Sequence, residues 1–220
     1  QRDDDARVRP GSLRHAVTHA KNNDLITFDF PEYPAVLRLD PALGPLILTR
    51  NLRFKGPGPD LLTISGDRDG NGIPDTQLFK VQADVLMEGL TLAEGTSSHG
   101  GAAQVSRNPS TAAAAPGVLT LRHCTVAGCR ASQWGGAIDV EEGALNLEYC
   151  LIRNNSTDAS FGQGGGEVSL YTAKACSFVA TTFSGNSQRA ASGFGGGAIY
   201  AENFNPQVIF PVSVVHCTFA

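Results

Sequence analysis

The sequence predicts an all-β protein: a right-handed parallel β-helix (solenoid) closed at its N-terminal end by a short capping α-helix. Three observations carry this. The tetrad Gly-Gly-Ala-Ile stands at Gly135 to Ile138 and again at Gly196 to Ile199, with Phe183-Ser184-Gly185-Asn186 between them. Four segments starting at Leu119, Leu145, Cys176 and Val212 align, with apolar or small residues at their first, third, sixth and eighth positions. The column Cys124, Cys150, Thr181, Cys217 advances in steps of 26, 31 and 36 residues while that strand pattern holds. Aligned strands with unequal steps mean a constant cross-section and variable loops, each coil lying about 4.8 Å above the last.

Period-two alternation places positions one and three of each segment on the same strand face, so Leu121 points inward and Thr120 outward. A further column runs Ala103, Ile138, Val168, Ile199. Cys129, Asn155 and Asn186 fall five places after the cysteine/threonine column, where asparagine amides can bond along the helix axis as a ladder. The glycine pairs fall where the backbone turns into the next strand. Ser106 to Pro116, Ser156 to Gly164, Gln188 to Gly195 and Glu202 to Pro211 are longer inserts, expected on one side of the rod.

The N-terminal unit is residues 1–30: a charged, frayed start, a helix over 12–21 and the first strand. Ser12 is a good N-cap, and Leu13, Ala16, Val17 and Ala20 form an apolar stripe suited to plugging the open end of the solenoid. Leu25 to Phe28, Val36 to Leu39, Leu46 to Leu48, Leu52 to Phe54, Leu62 to Ile64 and Leu78 to Val81 read as short strands separated by Pro and Gly. Coils then occupy 31–220. They are expected to continue beyond 220, or to be covered end to end by a partner, because the pattern stops inside a repeat and leaves an open edge.

Charged residues make up 17% of the 220, with a net charge of −4. No basic stripe for nucleic acid is present, and no run of ~18 apolar residues could span a membrane as a helix. The five cysteines read as small core residues and free thiols. His15 and His19 have the spacing of a helical metal pair but no third ligand, and read as solvated. His123, His216 and Tyr149 share a turn column at the surface. Asn154 and Asn155 head formal glycosylation sequons, with the ladder role favoured for Asn155.

The sharpest local motif is Asp67-Arg68-Asp69-Gly70-Asn71-Gly72-Ile73-Pro74-Asp75. Asp67, Asp69, Asn71 and Asp75, with the Ile73 carbonyl, have the spacing of a Ca²⁺ loop, although Leu78 stands where an EF-hand has its bidentate Glu. The same residues read equally as a solvated turn. On the outward face of the glycine-pair column lie Asp139, Glu141, Glu167, Tyr171, Tyr200 and Glu202. Asp139 and Glu167, on adjacent coils at about 8 Å, would fit the carboxylate spacing of an inverting glycosidase.

The GGAI tetrads and the FxxN unit at Phe183 to Asn186 resemble the repeats of polymorphic outer-membrane proteins. Gly11-Ser12-Leu13-Arg14-His15-Ala16-Val17, the strand after Asp24, and Phe54 to Gly66 are similar to the N-terminal cap region of large bacterial right-handed β-helix surface proteins. The chain departs from the pattern at Cys129 and Glu167, and it has no membrane barrel. The resemblance implies secretion or display on the outer surface of a bacterium and adhesion, and the expected role is a structural or adhesive module that binds a cell-surface protein or glycan through the loops on one side. The competing expectation is a carbohydrate-active β-helix enzyme, either a polysaccharide lyase or a glycoside hydrolase.

Overall fold

The computed structural model describes residues 10–110, 116–158, 167–171, 174–188, 197–202 and 210–220. The charged start and most of each insert lie outside the described residues. The chain is a parallel β-helix, built from four sheets among the described residues. Sheet 1 runs from Asp24–Thr27 through Leu52–Lys55, Asp84–Glu88, Val118–Arg122, Ala144–Glu148 and Cys176–Val179 to Val212–Val215. Sheet 2 holds seven strands, from Ala35–Arg38 to Thr218–Phe219. Sheet 3 has four: Thr96–His99, Arg130–Trp134, Ser156–Thr157 and Ser187–Gln188. Sheet 4 has six, from Leu46–Leu48 through Phe79–Val81, Ala103–Val105, Ile138–Glu141 and Val168–Tyr171 to Ile199–Glu202.

The register agrees with the sequence columns. Leu119 pairs with Leu145, Cys176 with Val212, and Thr125, Leu151, Thr182 and Thr218 follow one another in sheet 2. Ala103, Ile138, Val168 and Ile199 are likewise consecutive partners. Stacking makes the core a set of continuous columns. Phe54, Met87, Leu121, Leu147 and Phe178 form one, and Ile64, Leu92, Val126, Ile152 and Phe183 another, all buried. Each such side chain contributes roughly 1.5–3 kcal/mol through burial. In the last coil Val214 and Phe219 continue these columns and are exposed.

The cross-section is not uniform around the coil. Leu86, Thr120, Asn146 and Ser177 stack in sheet 1, and in each of these coils the next aligned position in sheet 2 comes five residues later. Sheet 3 follows another five residues on, at Thr96, Arg130, Ser156 and Ser187. From there to sheet 4 the chain takes 7, 8, 12 and 12 residues. In these four coils the length variation is therefore placed on the two flanks of sheet 4, where the sequence puts the inserts, whereas the first two coils take 11 and 10 residues from sheet 1 to sheet 2, Leu25 to Val36 and Arg53 to Thr63.

The corners explain several residues. Gly89, His123, Tyr149, Ala180 and His216 share one corner column, and each has a positive φ. The four non-glycine members accept this left-handed conformation despite its cost. The next residue fills the inside of the bend. The Cys150 thiol reaches the Leu121 carbonyl of the coil below at 3.3 Å and the Glu148 carbonyl at 3.4 Å, and the Thr181 hydroxyl donates to the Val179 carbonyl at 3.1 Å. At the following corner the asparagine ladder is present. Asn155 Oδ1 accepts from Cys129 N (2.9 Å), Asn186 Oδ1 accepts from Asn155 N (3.1 Å), and the Asn186 amide donates to the Ile152 carbonyl (2.9 Å). Outside the first of these corners His123 and Tyr149 stack with ring centroids 5.0 Å apart.

All five cysteines are free. Burial pushes the thiols of Cys124 and Cys129 up to about 12 and that of Cys150 up to about 11. Because the thiolate is the reactive form, these three should resist alkylation in the native protein. Half-buried Cys217 should react first, and all five should label after denaturation. A disulfide between any two of Cys124, Cys150 and Cys217 in mass spectrometry would contradict this packing.

The helix spans Leu13–His19, shorter than the 12–21 read from sequence. Ser12 Oγ accepts from His15 N at 3.1 Å, and the helix ends because Ala20 turns extended, with ψ 147°. Leu13 and Val17 are buried, and Ala16 and Ala20 pack against the same core, so the helix covers the end of the rod. His15 and His19 stack on each other at 4.0 Å.

Candidate functional site

Two places gather chemistry-bearing side chains. The first is the Asp67–Asp75 loop, between the sheet 2 strand Leu62–Ser65 and the sheet 4 strand Phe79–Val81. Asp67, Asp69 and Asp75 each bring a carboxylate oxygen within 4.8 Å of the others. Asp67 is buried and anchors the turn. Its Oδ1 accepts from Gly70 N (2.7 Å) and Asn71 N (3.2 Å), and its Oδ2 from Gly72 N (2.8 Å). Arg38 lies 3.9 Å from Oδ2. Burial raises the Asp67 pKa, but the N–H groups of Gly72, Gly70 and Asn71 outweigh it and hold the carboxyl below its ordinary value. The stability this gives is present above the unfolded value of about 3.9 and is lost as pH falls through the folded one. Asp75 Oδ2 accepts from Arg68 N, Asp69 from Asn71, and Asn71 Oδ1 from Ile73 N at 2.7 Å. The loop thus closes on itself through its own amides, while Asp69 and Asp75 remain exposed.

The second place is the outward face of sheet 4. Lys80, Gln104, Asp139, Ser169 and Tyr200 are successive partners in one row, and Glu141, Tyr171 and Glu202 form a row two residues on. Trp134 ends the adjoining sheet 3 strand, opposite His99. Its ring lies 5.9 Å from that of Tyr171 and 6.0 Å from that of Tyr200. Tyr200 belongs to the coil two steps beyond that of Trp134, roughly 9–10 Å along the axis. The indole therefore leans across the intervening coil, which carries Ser169. Asp139 and Ser169 are buried although their row faces outward, being 2% and 0% exposed. The buried Ser169 hydroxyl lies against the Asp139 carboxyl. Burial, helped by the charge of Glu141, pushes the Asp139 carboxyl up to about 7, with the nearby Ser169 hydroxyl opposing. Tyr200 donates to Glu202 Oε2 at 2.6 Å, and burial together with that carboxylate lifts its phenol to about 12. Burial, with Lys80 adding and Glu141 opposing, lowers the His99 pKa below its usual range.

Glu167 stands apart from this face. The register sets Asp139 opposite Ser169, and Glu167 precedes its strand by one residue. It takes the position that Ala102 and Ala137 hold in the coils below and Ala198 in the coil above, three residues that pack in or against the core. Its carbonyl accepts from Ala137 N and Ile138 N, both at 2.9 Å. The side chain is fully buried and neither carboxylate oxygen has a partner. Burial pushes it up to about 8. The expected solvated pair of carboxylates is thus replaced by two buried groups in different settings. Trp134 and His99 do not stand out in the sequence. They lie on sheet 3, whose Ser/Thr-rich strands carry little apolar alternation, and a lone Trp before a Gly pair is the available signal.

Comparison of the chain with protein-family models, with curated proteins and with solved structures finds no match. Among the described residues no helix is long and apolar enough to cross a membrane.

Proposed function

We propose that this β-helix is a module displayed on the outer surface of a bacterial cell, where it binds a glycan on the outward face of sheet 4. The observation that carries the reading is the cluster of Trp134, Tyr171 and Tyr200 rings on the outward side of sheet 4, whose rows also hold Asp139 and Glu141. Sugars present apolar ring faces and hydroxyl edges, and such a surface offers aromatic faces beside polar groups. The inserts flank this sheet, and the resemblance to polymorphic outer-membrane protein repeats supports surface display and adhesion. Trp134 is the single tryptophan, so its fluorescence reports on the site directly. A glycan panel should include a ligand that shifts this emission, and Trp134→Ala should weaken that ligand at least about tenfold. A panel without any fluorescence or calorimetric response would overturn the reading.

A hydrolytic reading has one observation in its favour: an Asp139 carboxyl that titrates near neutrality beside this cluster. Product release from the same glycan, lost in Asp139→Asn and retained in Glu167→Gln, would assign the face to an enzyme.

We also propose that the Asp67 loop takes Ca²⁺ weakly, supported by its three converging carboxylates. Because the turn already closes through its own amides, calcium should act locally. Millimolar calcium should protect residues 67–75 from proteolysis while adding only ~1 kcal/mol to global stability at five times Kd. Asp69→Ala with Asp75→Ala should remove the protection. Titration calorimetry without a binding signal at millimolar calcium would leave the loop a turn.

A further inference from the structure

The corner between sheets 1 and 2 carries a ladder of rings with one rung missing, and we infer that the gap receives an aromatic side chain of a partner polypeptide running extended over sheet 2. His123, Tyr149, Ala180 and His216 hold the same corner position in successive coils. Their φ values of 49°, 55°, 48° and 54° give them one backbone conformation, so their side chains leave the rod in one direction. The His123 and Tyr149 rings lie 12° from parallel with centroids 5.0 Å apart, close to the rise of about 4.8 Å per coil. Ala180 then offers Tyr149 a methyl group where the next ring would stack, and Tyr149 is 59% exposed. His216 stands two rises above Tyr149, roughly 9–10 Å along the axis. A flat ring entering over Ala180 would lie about 4.8 Å from each level, the spacing the chain itself uses one rung below.

The surroundings of the gap select its occupant. On the sheet 1 side the outward row changes from Arg122 and Glu148, which pair with each other at 2.7 Å, to Val179 and Val215 beside the gap. The hydroxyl edge of a sugar would face valines there, whereas an aromatic ring needs no hydrogen bond from them. On the sheet 2 side Arg153 and Ser184 lie outward on adjacent coils, four residues after Tyr149 and Ala180. Arg153 is exposed and makes no ion pair among the described residues, so it complements a carboxylate carried near the ring. In an extended partner, residues two apart face the same way about 6.8 Å apart. A Glu two positions from the aromatic residue thus points along sheet 2 toward Arg153, and the two long side chains span the remainder. In these coils no insert enters the chain between sheet 1 and sheet 3, which leaves the corner open to such a partner.

The test follows the fluorescence anisotropy of a dye-labelled peptide, Ser-Glu-Ser-Trp-Ser-Glu-Ser, on the full chain. It should bind at least about tenfold tighter than the same peptide with alanine in place of tryptophan. Glutamine in place of both glutamates should weaken binding severalfold and remove its salt dependence. Ala180→Tyr supplies the missing rung from within and should abolish the gain from tryptophan. The same corner conformation already holds a tyrosine at Tyr149, so the variant should melt like the parent. Tyr149→Ala removes the platform below the gap and should cause the same loss, and Arg153→Gln should remove the part that depends on glutamate alone. Absence of binding, equal binding of the alanine peptide, or undiminished binding to Ala180→Tyr or Tyr149→Ala overturns the inference. Equal binding of the glutamine peptide overturns the acidic character of the partner, and displacement of the peptide by a neutral sugar oligomer would assign the gap to a glycan instead. Trp134 lies on the far side of the coil, so none of these outcomes bears on the sheet 4 reading.

Discussion

Leu121→Asp should abolish the cooperative unfolding transition, whereas Thr120→Asp should leave it nearly in place. Leu121 is wholly buried, with Met87 below and Leu147 above in its column. An aspartate there has no cationic partner in either neighbour, and an unpaired buried charge belongs to the small class of substitutions costing more than about 4–5 kcal/mol. A domain with a total stability of roughly 5–15 kcal/mol cannot absorb that. Thr120 faces outward and accepts one hydrogen bond, from Asn146 Nδ2 at 3.3 Å. Aspartate can accept the same bond, so the change should stay within about 1 kcal/mol. Circular-dichroism melts of the two variants decide the matter, and coincident curves would invert the strand phase.

The second large effect concerns Glu167. Its pKa is raised from 4.5 to about 8 by burial, so across that interval the folded chain binds a proton that the unfolded chain releases. The stability linked to that proton is fully present below about 4.5 and is lost as pH rises through about 8. Asp139 adds the same trend between its ordinary value and about 7. The melting temperature should therefore fall from pH 5 to pH 9. Glu167→Ala should flatten most of this slope and raise Tm, most strongly at high pH. Alanine is the residue of neighbouring coils at this position, and the change removes a buried group without partners, worth roughly 1–3 kcal/mol or more. An unchanged pH slope in Glu167→Ala would mean that the carboxylate is compensated in solution.

Sheets 1, 2 and 4 are legible in the sequence because their columns are apolar and recur with an unbroken period of two. Leu119, Leu145, Cys176 and Val212 align on residue pattern alone, and the strand pairings follow that alignment. Sheet 3 is not legible. Thr96, Arg130, Ser156 and Ser187 carry no hydrophobic signal, and their strands exist because the neighbouring sheets fix where the backbone must run. The corner column is hidden for a related reason. Its shared requirement is a positive φ, and His, Tyr and Ala do not advertise one. The acidic candidates emerge from alternation, which states a side of the strand and not what lies over it. Asp139 faces outward as expected and is nonetheless buried, and Trp134 reaches Tyr200, a contact between residues far apart in the chain.

In the four later coils, the five-residue spans between sheets 1 and 2 and between sheets 2 and 3, set against the elastic spans around sheet 4, separate two quantities that are coupled in most domains. How far the rod reaches is counted in coils, each adding about 4.8 Å. How much chain each coil devotes to its front is uncounted, because extra residues there leave every stacking partner where it was. A lineage can therefore rewrite what is shown along the front while the distance at which it is shown stays constant.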